Sequence, residues 1–148
     1  MITPSPTTKI DPTLARGTCL DIVAASATKP GHIVFGVPNT NYELHLQPTQ
    51  NVQPAGIDKR LIGSIKAQAR RLDLVRTGGR YIEPVFGRPR RVQGSVVSVD
   101  SAQNVVVVNA GVPIALTLTD PRQQASQFEA GQIVSCDVHD GATFTPKM

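Results

Sequence analysis

Short apolar stretches recur along the chain, and most of them end at glycine, proline or an Asp-Gly turn. Ile65, Ala67 and Ala69 alternate with Lys66, Gln68 and Arg70, so the two sets fall on opposite faces of one strand. Leu44 and Leu46 bracket His45 in the same way. The pattern predicts strands near 17–24, 31–36, 41–47, 62–75 and 80–86, then near 92–99, 104–109, 113–119, 132–138 and 142–145. Asp140-Gly141 predicts a tight hairpin between the last two strands, and Thr77-Gly78-Gly79 predicts a longer one at 75–80. In the connector from Pro121 to Glu129, Asp120 can cap a short helix whose first position is Pro121. The connector after Pro48 contains Pro54 and reads as irregular.

The two groups of strands share an order of features. Arg16-Gly17-Thr18-Cys19-Leu20-Asp21-Ile22-Val23 aligns with Gln93-Gly94-Ser95-Val96-Val97-Ser98-Val99-Asp100. Apolar runs then lead to Gly36-Val37-Pro38 in one copy and Gly111-Val112-Pro113 in the other. Leu44-x-Leu46 matches Leu116-x-Leu118, and Gly63-Ser64-Ile65 matches Gly131-Gln132-Ile133. Each copy ends on a glycine turn and a strand with an aromatic, Tyr81 or Phe144. The Gly-Val-Pro pair reads as a bend that ends strand pairing.

Three strands, a connector and two further strands resemble the OB superfamily, a partly open five-stranded barrel. The resemblance covers about residues 16–146 and rests on strand order, glycine placement and duplication. It implies an all-β fold of two tandem five-stranded OB-like small barrels packed together. The domain expectation is a disordered N-terminal tail at 1–15, unit 1 at 16–89 and unit 2 at 90–148.

Composition narrows the class. Hydrophobic residues are 40% and charged residues 18%, enough for a packed core. No apolar run approaches the roughly 18 residues of a membrane helix. The Pro/Thr-rich start lacks the apolar stretch of a secretory leader. Cys19 and Cys136 stand alone in strand-like surroundings and read as reduced, half-buried thiols, which points to a cytoplasmic protein.

Charge is unevenly placed. From Lys59 to Arg91 there are ten basic and two acidic residues, a balance of +8. Five basic and nine acidic residues elsewhere give −4, and the whole chain carries +4.

Motifs for nucleotide phosphate loops, metalloprotease helices and serine nucleophile elbows are missing from the sequence. His32, His45 and His139 lack metal-ligand spacing, and Asp137, His139 and Asp140 read as a solvated turn. Glu83 is expected to pair with Arg80 or Arg88. No catalytic residue, metal or cofactor is assigned.

The basic segment is the functional lead. Lys66, Arg70, Arg76, Arg80, Arg88, Arg90 and Arg91 are the candidate phosphate contacts, on a basic hairpin and the linker that follows it. Tyr81 is the candidate for stacking on a base, with Tyr42 completing the surface. The expected function is a non-catalytic binding module for a polyanion such as single-stranded nucleic acid. The alternative is a structural or protein–protein interaction module. In it, the arginines pair with acids of the other unit or of another subunit, such as Asp100, Asp120 or Glu129.

Overall fold

Alternation turns into strands almost everywhere the sequence shows it. A computed structural model describes residues 13–28, 31–49, 60–76 and 79–146. Its strands are β1 (Ala15–Val23), β2 (His32–Gly36), β3 (Glu43–Pro48), β4 (Arg60–Ala69), β5 (Asp73–Leu74) and β6 (Tyr81–Glu83). They continue as β7 (Phe86–Gly87), β8 (Arg91–Asp100), β9 (Val105–Asn109), β10 (Pro113–Leu118), β11 (Ile133–Asp137) and β12 (Thr143–Pro146). The fold is all-β, as the pattern implies. Of the expected tail, residues 1–12 lie outside the described residues, and Ala15 already opens β1. Lys59, most of the Pro54 connector and the Thr77-Gly78 turn also lie outside them. No helix among the described residues is long and apolar enough to cross a membrane.

The connector after Asp120 holds a single 3-10 turn, Ala125–Gln127. Asp120 does not cap it. Its carboxylate accepts the Arg122 N–H at 2.9 Å and closes a separate turn upstream. The 3-10 turn is tied instead by Asn104 Oδ1, which accepts the Ala125 N–H at 2.7 Å.

β1, β2 and β3 pair antiparallel in sequence order, and β4 pairs antiparallel with β1. Between β3 and β4 lies β12, parallel to β3 and antiparallel to β4. These five strands close into a barrel. Its last strand is therefore Thr143–Pro146, not residues 80–86. Phe144 of β12 is fully buried there, 5.3 Å from the Phe35 ring centroid.

The remaining strands follow a related plan. β8, β9 and β10 pair antiparallel in order, and β11 pairs with the other edge of β8. β10 runs parallel to Lys66–Ala69, the end of β4. β11 reaches β4 through the isolated bridge Ala69–Val138. One long strand thus serves both groups, and pairings cross the expected boundary at residue 89. β12 thus closes the first group in place of residues 80–86, an exchange of strand between the two groups, and among the described residues one closed five-stranded barrel with further strands beside it is seen.

Three local expectations change with it. The strand at 62–75 breaks after Ala69, and β5 pairs with β11. The strand at 80–86 splits into β6, which pairs with β8, and β7, which pairs with β3. The basic hairpin is therefore not formed. β11 and β12 follow one another along β4 and do not face each other across Asp140-Gly141.

A single hydrophobic cluster takes residues from both halves, including Phe35, Leu44, Val106, Leu116, Val134 and Phe144. Gly17 and Gly94 permit close strand crossing. A Cβ at Gly17 would meet the Gly36 carbonyl, and one at Gly94 would meet the Asn109 carbonyl.

Candidate functional site

Four chain segments end side by side at one place. The Arg70 N–H donates to the Asp137 carbonyl at 2.9 Å, and the Arg90 N–H donates to the Glu83 carbonyl at 2.8 Å. The Val138 N–H donates to the Arg90 carbonyl at 2.9 Å. Strand hydrogen bonding, not side-chain attraction, therefore brings these charged residues together. Arg70, Glu83, Arg90, Arg91 and Asp137 line a groove of about 570 Å³. Arg70 and Arg90 also line an adjoining cleft of about 290 Å³, with Arg88 and Asp140. Asp140 further lines a cleft of about 330 Å³ that contains Lys66.

Five of the eight predicted site residues, Lys66, Arg70, Arg88, Arg90 and Arg91, thus fall along one run of clefts. Arg76 and Arg80 are exposed and line none of these clefts. Tyr81 is half-buried, and its hydroxyl donates to Gln93 Oε1 at 3.2 Å. Tyr42 packs on the core, and its hydroxyl accepts the Ile82 N–H at 3.1 Å. Both tyrosines are tied into the fold.

Folding sets acids from outside the 59–91 segment against its arginines. Arg88 pairs with Asp140 at 2.7 Å and Arg91 with Asp137 at 2.8 Å. Arg91 also donates to Ser135 Oγ at 2.9 Å. Hydrogen bonding to Tyr81 and to the Asp137 carboxylate holds the Arg91 guanidinium proton more tightly than usual, against a small opposing effect of burial. Counting Glu83, the five cations of the clefts face three carboxylates, a net of +2. Arg70, Arg90 and Lys66 make no ion pair with a described residue.

The acids that answer the basic linker are Asp137 and Asp140, not Asp100, Asp120 or Glu129. Asp120 pairs with Arg122 at 3.0 Å, which lowers its pKa. Asp100 accepts the Ala102 and Gln103 N–H groups. Glu83 pairs with neither Arg80 nor Arg88. It lines the larger groove while its carbonyl holds Arg90.

Among the described residues no group of three or more His, Cys, Asp or Glu side chains could hold a metal ion. Cys19 and Cys136 are both buried and unbonded to each other. Burial pushes the Cys136 thiol up to about 12.

Phe86 belongs to the basic segment but is not among the contacts assigned from the sequence. It is 61% exposed, and its ring meets His45 edge to face at 4.8 Å. His45 in turn stacks on His32 at 4.6 Å. The available signal was the apolar pair Val85-Phe86, placed without alternation in a charged linker. No protein-family model, curated protein or solved structure matches the chain, so these residues carry the functional argument alone.

Proposed function

We propose that this protein is a non-catalytic binding module that takes an anionic partner along the clefts at the ends of β4, β8 and β11. The observation that carries this reading is the placement of Arg70 and Arg90. Both are exposed, both line the two adjoining clefts, and neither is neutralised by an ion pair with a described residue. Two guanidiniums facing one cleft repel each other, and a bound oxyanion would relieve that repulsion while accepting several hydrogen bonds. Lys66 extends the contact beyond Asp140.

The structural alternative applies to a different pair. Arg88 and Arg91 bind Asp140 and Asp137, 52 and 46 positions away in sequence, and fasten the linker to the second half. In this reading the basic segment divides its work: two arginines lock the linker and two face the partner. Two buried free cysteines support a cytoplasmic setting. Register shifts at Cys19/Asp21 in β1 and at Val96/Ser98 in β8 fall on aligned positions of the two copies and support a duplication.

The test is a titration of a labelled single-stranded oligonucleotide across a salt series. Each phosphate contact contributes about −0.7 to the slope of log K against log salt. Arg70→Ala with Arg90→Ala is expected to weaken binding and flatten the slope by about 1.4. Arg88→Ala is expected to change melting temperature more than affinity. Failure of both the oligonucleotide and inorganic polyphosphate to bind at tens of micromolar protein in low salt would refute the reading.

A further inference from the structure

A second surface feature lies outside the charged clefts, on β2, β3 and β7. Leu44 and Leu46 are fully buried in the barrel, so His45 between them points outward from β3. Outside the barrel it stacks on His32 of β2, with ring planes 18° apart. Phe86 stands against its other side at 75°. The result is a ladder of three rings across β2, β3 and β7.

The ladder is held by backbone. Glu43 pairs in register with Phe86, Leu44 pairs with Gly87, and the Glu43 N–H donates to the Val85 carbonyl at 2.9 Å. Even so, Phe86 is 61% exposed and Val85 49%. A lone exposed apolar side chain needs no explanation. Two in succession, with the Phe86 backbone paired to β3 and its ring set against His45, form an exposed apolar ledge. Exposed ring surface of that kind suits stacking, because little side-chain freedom is lost on binding.

The ledge is continuous in sequence with the anionic-partner site. Pro84 lines the larger groove and Arg88 the smaller cleft, with Phe86 midway between them. Two residues of chain span at most about 7 Å, so the Phe86 backbone lies close to that of the cleft-lining Pro84 and Arg88. A base-free polyanion would leave Phe86 in water. A single strand would place a base on it.

We infer that Phe86, supported by His45 and His32, is the base-stacking residue, and that the partner is single-stranded nucleic acid rather than a polyanion without bases. This rests on the proposed anionic partner and adds its chemical class.

The test uses the full chain and two probes, a single-stranded oligothymidylate and inorganic polyphosphate of similar charge. Phe86→Ala and Phe86→Leu are compared with the parent, with folding checked by circular dichroism. The oligonucleotide is expected to bind more tightly than polyphosphate. Phe86→Ala should weaken it roughly 5- to 150-fold, the range that corresponds to one stacked base. Phe86→Leu should also weaken it, and polyphosphate affinity should change with neither variant. Unchanged oligonucleotide affinity in folded Phe86→Ala overturns the stacking inference and leaves the anionic-partner reading standing, as does an equal loss for both probes. Failure of both probes to bind the parent chain overturns both.

Discussion

Replacing Phe144 with alanine tests the exchanged strand directly. Phe144 is fully buried and sits 5.3 Å from Phe35, inside the barrel built mainly from the first half of the chain. Its backbone pairs with Ile65 of β4 and Pro48 of β3, and its carbonyl accepts the Thr49 N–H at 2.9 Å. Alanine keeps those backbone groups and removes the ring. The loss of transfer energy and the cavity left behind cost about 3–5 kcal/mol for a buried phenylalanine. Against a total stability of about 5–15 kcal/mol for an ordinary domain, that is a fifth or more of what holds the fold. With a urea m-value of about 2 kcal/mol/M, the midpoint should fall by about 2 M. Hydrogen exchange gives the sharper reading. Amides of Ile33, Leu44 and Leu46 should lose protection, although they lie some hundred residues from the substitution. A loss under about 1 kcal/mol, or faster exchange confined to residues 91–146, would refute the exchanged closure.

Three further outcomes follow from the geometry. The Cys136 thiol should resist maleimide at pH 8 in the folded protein and react once unfolded, because burial raises its pKa to about 12. The same shift makes stability fall as pH rises, beginning where the unfolded thiol ionises near 8.5 and continuing to about 12, and a Cys136→Ser variant should lose that alkaline limb. A double-mutant cycle on Arg88 and Asp140 should return a coupling of at most about 1 kcal/mol that shrinks with salt, because both side chains are about half exposed or more. A coupling above about 2 kcal/mol would mean that the linker contact is far less solvated than its exposure indicates.

Local order was legible because it is carried by neighbours in sequence. The alternation around Ile65 and Leu44, and the glycine and proline stops, locate most strands within a few residues. Hairpin partners such as β1 with β2 and β8 with β9 also follow, since short loops leave adjacent strands few other choices. Period two reports which face a residue occupies. It does not report which strand lies alongside. Residues 80–86, with Tyr81 and Phe86, and residues 142–145, with Phe144, look equally able to close a barrel. Only the packing of the whole chain puts Phe144 against Phe35 and leaves Tyr81 tied to Gln93 beside β8. Charge obeys the same division. The sequence by itself determined that ten cations cluster between Lys59 and Arg91. Only the tertiary structure decided which of them Asp137 and Asp140 neutralise, because an ion pair depends on a separation near 3 Å in space and not on distance along the chain.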